Sequence, residues 1–254
     1  MYRTGPDYRF DDQVDFSDIK DTFGFNTIKI GQWVTKEERL LAANLIYDAF
    51  ADLSLILNVP SKLLGLRQTL NLAFGTGGQL GVQAHYAAHT RTLALAKNAG
   101  KGALAHEWWH AFDHYICKFL FKDTKSTQFA SSCWLQSVIS NTHPLNQYLD
   151  NLFRLLFLSS DQRNMSLYMN RATSLDRQQK QFYYAKPEEL SARAFEHFIA
   201  SHPDIINQFL VNDVLGSDLE KQGGFPDSAL SKSIGALYSQ YFNHLGYLLQ
   251  RSLQ

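Results

Sequence analysis

The stretch GALAHEWWHAFDHY, residues 102–115, carries the pentad His106-Glu107-Trp108-Trp109-His110. On a helix, positions i and i+4 share a face about one turn apart. His106 and His110 can therefore offer two imidazole nitrogens to one metal ion. Glu107 leans from the same helix toward the open side, where it can take a proton from an attacking water and hand it to a leaving group. With nine His and seven Glu in 254 residues, random placement yields this pentad about once per hundred such chains. Ala103, Leu104 and Ala105 lead in without a helix breaker, and Trp108, Trp109, Ala111 and Phe112 put apolar bulk between the polar groups. The pattern suits a buried helix with one polar stripe turned to a cleft. The plain alternative is a core helix whose two histidines are merely hydrogen-bonded.

The elements around this helix fall into an order. Residues 23–34 (FGFNTIKIGQWV) alternate enough for a short strand or extended arm. Thr35-Lys36-Glu37-Glu38 matches a capping box and opens an amphipathic helix to about Leu57, which Pro60 stops. From Leu66 to Phe74 the period favours a strand, and GTGGQLG (75–81) is a loop without the spacing of a phosphate loop. Val82–His89 and Thr90–Lys97 are two more strand candidates, and Asn98-Ala99-Gly100 turns the chain into the pentad helix. Beyond Lys101 the pattern is helical, over 101–121, 128–140, 144–158, 160–176, 187–200, 203–213 and 227–252. Strands first and helices afterwards predict an α+β fold, with a small mixed sheet and the pentad helix beside a mostly helical body. The expected organisation is an acidic, loosely packed lead over residues 1–22 and one domain over 23–254. That domain includes a helical insertion at about 123–180 and a C-terminal helical part at about 201–254.

Composition removes several function classes. Lys+Arg and Asp+Glu both number 24 and the net charge is zero, which gives no bulk electrostatic reason to expect direct nucleic-acid binding. No run approaches 18 apolar residues and no basic start precedes an apolar segment, so neither a membrane span nor a signal peptide is expected. Cys117 and Cys133 sit in apolar helical patterns and read as buried reduced thiols of a cytoplasmic protein.

A catalytic zinc site takes three protein ligands and leaves a fourth position open. His114 continues the i+4 series, but it lies roughly 12 Å from His106 along an unbroken helix, too far to share one ion. A third histidine beyond a glycine turn is absent, since position 113 is Asp and position 116 is Ile. Glu189, in YYAKPEELSARAFEHF (183–198), is the favoured third ligand. Pro187 fits the first turn of a helix, and a carboxylate from that helix completes a His₂Glu set. Glu196, two turns on and on roughly the same face, is the alternative. Asp113 reads either as a surface Asp or as a carboxylate that orients an imidazole. Arg193, four residues after Glu189, pairs with neighbouring acids, with Asp113 or with the solvent-side acids.

GALAHEWWHAFDHY and YYAKPEELSARAFEHF together resemble the zincin-like metallopeptidase domains of the gluzincin group. The likeness is closest to the bacterial and phage large polyvalent-protein-associated domains of zincin type. FGFNTIKIGQWVTKEE, LNLAFGTGG and AHYAAHTRTLALAKNAGKGALAHEWWH also look like that family. The HEW–H core is similar to the metallohydrolase domain of calcium-activated chloride channel regulators. The likeness covers about residues 23–200. It implies zinc on His106, His110 and Glu189, with Glu107 as catalytic acid/base, and a sheet whose edge strand, at Ala84-His85-Tyr86, pairs with an extended peptide. The chain departs from the family in having Arg193 where an Asp commonly follows the ligand Glu, and in the 79 residues that separate His110 from Glu189.

Zinc-assisted peptide hydrolysis develops an oxyanion that an extra donor steadies. Tyr184 and Tyr183 are the first candidates, ahead of His85, with His197 a further imidazole. The expectation is a cytoplasmic zinc metallopeptidase acting on a peptide or protein. The alternative is a zinc-stabilised scaffold or protein-binding module without turnover, linked to phage or mobile-element biology, and a third reading is a nucleic-acid-associated protease of that same biology.

Overall fold

The computed structural model describes residues 1–77, 84–97 and 102–251. The fold is α+β, with a four-stranded mixed sheet beside a mostly helical body. In chain order the elements are α1 (Phe16–Phe23), β1 (Ile28–Ile30), α2 (Lys36–Leu57), β2 (Asn71–Phe74), β3 (Ala84–Ala87), β4 (Thr92–Leu95) and α3 (Leu104–Leu120). Then come α4 (Ala130–Leu135), α5 (Asn146–Phe157), α6 (Leu167–Gln179), α7 (Pro187–Ala200), α8 (Asp218–Lys221) and α9 (Ser228–Arg251). The sheet order is β1-β2-β4-β3. β1, β2 and β4 run parallel, and β3 lies antiparallel to β4 with His85 opposite Ala94 and Tyr86 opposite Leu93. β3 is thus an edge strand, and it packs on α3.

Most of the 1–22 lead is exposed, but its second half forms a helix that packs on the core. Asp15 caps α1 by accepting from the Ser17 and Asp18 amides, and Asp18 accepts from the Asp15 amide in return. Phe16, Ile19 and Phe23 are buried, and Gly24 closes the helix at φ 71°. That Asp-x-x-Asp box is a helix signal, which the acidic composition of the segment obscures. Ahead of α1, Arg3 makes two 2.7 Å bonds to Asp52, and Arg9 reaches Asp48 at 2.9 and 3.0 Å.

These pairs settle the character of α2. By length and composition it is the one helix among the described residues that is apolar enough to cross a membrane, and half of its most apolar window is buried within the fold. Asp48 and Asp52 sit inside that helix, so α2 serves here as a core helix with two neutralised carboxylates.

Other boundaries shift for local reasons. Residues 203–213 form no helix, because their backbone groups are used elsewhere. The Thr4 amide donates to the Ile206 carbonyl, Gln208 donates to Tyr2, and Asn207 accepts from the Phe209 and Leu210 amides while donating to Asp52. Leu66, Arg67 and Gln68 all have positive φ, so β2 starts only at Asn71. Residues 159–165 form a turn closed by Ser159, Asp161 and Asn164, and Ser166 caps α6 at the Met169 amide. The predicted helix at 128–140 shortens to α4 and ends before Ser137 at φ 55°. Of the predicted elements, Val82, Gln83, most of the glycine loop (78–81), the 98–100 turn, Lys101 and Ser252 lie outside the described residues.

Asp52 is fully buried and accepts from Arg3 twice and from Asn207 once. Asp52→Ala is expected to cost about 3–5 kcal/mol, toward the lower figure because Arg3 keeps access to water. Urea unfolding checks this, and an unchanged midpoint contradicts it.

Candidate metal centre

α3 starts without a side-chain cap. Its first turn is instead held by the 207–212 segment, where the Leu210 carbonyl accepts from the Ala105 amide at 3.0 Å. Gly102, at φ 73°, lies so close to that segment that a Cβ there meets the Asn212 nitrogen at 2.0 Å. Two indoles then fix the roll of the helix. Trp108 donates to the Leu64 carbonyl and Trp109 to the Ser191 hydroxyl on α7, each at 3.0 Å. Trp109 also stacks on Phe195 of α7 at 4.7 Å between centroids, and Tyr238 and Phe242 of α9 close the same cluster. With the aromatic face locked, His106 and His110 are turned toward α7.

α7 presents its acids to them. Pro187 stands at the start of the helix, and Glu188 and Glu189 lie in its first turn. Glu189 reaches His106 Nε2 at 3.3 Å through one oxygen and His110 Nε2 at 3.5 Å through the other. His106, His110 and Glu189 each offer a donor atom within 4.8 Å of the other two. A tetrahedral zinc with bonds of 2.0–2.1 Å has donors roughly 3.3 Å apart. The Glu189 oxygens stand close to that spacing.

Glu196 takes a different post from the one the helical face alone suggested. It meets His106 at Nδ1, at 3.1 Å, on the side of the ring away from Glu189. A carboxylate there fixes the ring orientation and leaves Nε2 to face Glu189, as in carboxylate–histidine–metal triads. Burial lowers the His106 pKa, but the bonds to Glu189 and Glu196 and the charges of Glu196 and Glu107 outweigh it and raise the pKa to about 10. Burial raises Glu189, and the two imidazoles more than reverse that, taking it well below the usual carboxylate range. The two shifts share one cause, the direct pairing of the imidazoles with the carboxylates in a buried place. The Nδ1 of His110 is buried with no hydrogen-bond partner among the described residues.

Glu107 is part-exposed, and no hydrogen bond engages its side chain among the described residues. Its charge is felt at both His106 and Tyr183. The Tyr183-Tyr184-Ala185 turn is built tightly. The buried carboxylate of Asp176 accepts from all three amides, at 2.9, 2.7 and 2.8 Å. Arg193 donates to the Tyr184 carbonyl and, at 2.9 Å, to the Gly224 carbonyl. The turn brings the Tyr183 phenol beside Glu189. Tyr183 is 38% exposed, and partial burial together with the Glu189 charge raises its pKa above the ordinary phenol value. Tyr184 is directed elsewhere. Its ring lies under Arg193, with the guanidinium 5.1 Å from the ring centroid, and its hydroxyl accepts from Gln179 at 3.4 Å.

The remaining candidates are placed away from the triad. Arg193 serves backbone carbonyls and the Tyr184 ring, not an acid, and its Nη1 is buried without a partner among the described residues. His197 is buried between Glu220 and Ser231. His85 is exposed on β3. His114 donates from Nε2 to the Ser126 carbonyl and accepts the Tyr86 hydroxyl at Nδ1, both at 2.6 Å. Cys117 and Cys133 are free, buried thiols 3.5 Å apart. Asp113 is fully buried and accepts from the amide and hydroxyl of Ser131, tying α3 to α4. The sequence carried no signal for Asp176 as the organiser of the turn, because the contact depends on how α6 ends.

Residues 175–249 match the family model described as large polyvalent protein-associated domain 1. The match links the chain to polyvalent-protein-associated domains over the end of α6, α7, α8 and α9, and it includes Glu189 and Glu196. The pentad lies outside it. No curated protein and no solved structure matches the chain.

Burial, partly offset by Ser131, pushes the Asp113 carboxyl up to about 6. A carboxyl whose folded pKa exceeds its unfolded value adds stability at low pH, and that stability is lost as pH rises from about 4 through about 6. The loss is on the order of 3 kcal/mol. Asp113→Asn keeps an acceptor for Ser131 and is expected to remove that part of the pH slope in denaturant titrations. An identical slope in both proteins contradicts the assignment.

Proposed function

We propose that this chain is a zinc metallopeptidase of zincin type that hydrolyses peptide bonds. The observation that carries the reading is the convergence of His106, His110 and Glu189 within 4.8 Å, with Glu107 beside them and free of competing hydrogen bonds. A purely structural site has no need of that second, unengaged carboxylate. A zinc ion held by the three residues supplies Lewis acidity, polarising a carbonyl and making water easier to deprotonate.

The chain's own groups supply the rest. Glu107 accepts a proton from the attacking water and delivers it to the departing amine. Tyr183, a protonated phenol beside Glu189, donates a hydrogen bond to the oxygen that becomes negative as the carbonyl carbon turns tetrahedral. Glu196 holds the His106 ring through Nδ1. Asp176 and Arg193 keep the Tyr183 turn in place before substrate arrives, which lowers the reorganisation needed during reaction. The match to a large polyvalent protein-associated domain over residues 175–249 supports an association with large polyvalent proteins.

Metal content and turnover of peptide libraries test the reading together. Glu107→Gln is expected to keep one zinc per chain and lose about 10²–10⁴-fold in kcat. Tyr183→Phe is expected to keep zinc and lose about 10²–10³-fold, as for one oxyanion donor. Glu196→Gln is expected to weaken zinc affinity by about 10–100-fold, and Glu189→Ala by more. Zinc without turnover in the wild type favours the scaffold alternative, and absence of stoichiometric zinc contradicts both readings.

A further inference from the structure

A cavity of about 240 Å³ lies further along α3, bounded by β3, Arg91 in the turn before β4 and residues 124–126. Its floor is the Tyr86–His114 pair, and Leu66, Leu70 and Ala111 give it apolar walls. Arg91, Lys118 and Lys125 stand around it, and no carboxylate lines it among the described residues. None of the three cations has an ion-pair partner among the described residues. In a chain of zero net charge this is a local excess of positive charge. Its field reaches the floor, since Arg91 and Lys118 help burial to hold His114 below the ordinary imidazole pKa. His114 is already committed at both nitrogens, so it is a neutral floor and not a further metal ligand.

We propose that this cavity is a specificity pocket for an acidic side chain, glutamate or aspartate, of the peptide substrate. The proposal rests on the metallopeptidase reading for the position of the reacting bond. His114 lies one helical turn, about 6 Å, beyond His110. That is within two residues of a chain extended along the edge strand β3 at about 3.3 Å per residue. The edge of β3 opposite β4 pairs with no other strand among the described residues. The cavity is smaller than the roughly 300–1,000 Å³ of sites that take whole drug-sized ligands, and so suits one side chain. The apolar walls take the methylenes and the cations take the carboxylate. Arg91, Lys118 and Lys125 are exposed, so each pair is screened by water and the preference comes from their number.

The test compares peptide sets that differ only in Glu or Gln at each position in turn. Binding is read by fluorescence anisotropy on zinc-loaded Glu107→Gln protein, and cleavage is read on the wild type. At one position Glu is expected to be preferred about tenfold, as two or three solvent-screened charge pairs acting together supply. The double variant Arg91→Glu, Lys118→Glu should abolish or invert that preference while retaining zinc and the cleavage of the Gln peptides. A control, Lys232→Glu on exposed α9 surface, should leave it intact. Cleavage without an acidic preference at any position, or a preference that survives the double variant, overturns the pocket and leaves the peptidase reading standing. Acid-dependent binding that the double variant removes, in a wild type that cleaves nothing, upholds the pocket and counts against the peptidase reading.

Discussion

The packing of α3 against α7 is the constraint on which the rest of the structure depends. Trp109 stacks on Phe195 and donates to Ser191, which fixes both the distance between the helices and the rotation of each about its axis. On α3 the helical repeat then sends His106 and His110 toward α7. On α7 it sends Glu189 and Glu196 back toward them. α9 covers the aromatic side with Tyr238 and Phe242, so neither helix can roll without opening a cavity in a close-packed core. Truncating a buried aromatic at such a place costs about 3–5 kcal/mol.

That packing brings imidazoles and carboxylates together in one place, where they pair directly with each other. Three glutamates and two histidines converge in a poorly hydrated place, where like charges repel strongly. The carboxylates divide the work by the nitrogen they face. Glu189 spans the two Nε2 atoms, whereas Glu196 holds Nδ1 of His106. Glu189 also sits in the first turn of α7, where the helix dipole favours negative charge. Arg193 is the only cation placed on the inner face of α7, and it is spent on the carbonyls of Tyr184 and Gly224. The carboxylate that meets His106 Nδ1 comes from Glu196, a turn further along.

Much of this was legible in the sequence, and the rest was not for identifiable reasons. The α+β order, the capping box at Thr35 and Glu38 and the α7 boundaries at Pro187 and Ala200 follow from short-range rules, and the structure keeps them. The segment 203–213 has helical composition but serves as the partner of residues 2–4 and as the cap of α3. Those contacts span more than 200 positions to residues 2–4 and 105 positions to α3, and no local rule contains them. At the site, the pentad names its own residues. Glu189 and Glu196 share a helical face, so periodicity leaves their roles open, and only the three-dimensional position of the His106 ring separates them. Tyr183 and Tyr184 are adjacent, and which of them turns toward Glu189 is decided by Asp176 and Arg193 from two other helices. The cationic cavity is assembled from Arg91 in the β3–β4 turn, α3 and the 124–126 loop, with no motif to announce it.

X-ray absorption at the zinc edge of the purified, zinc-loaded protein tests the central claim most directly. The account predicts one four-coordinate zinc per chain, with two imidazole nitrogens and oxygen donors at 2.0–2.2 Å and no sulfur. It also predicts that one imidazole is lost in His110→Ala. A zinc–sulfur distance near 2.3 Å, which would move the metal to Cys117 and Cys133, contradicts the account. So does a spectrum that His110→Ala leaves unchanged.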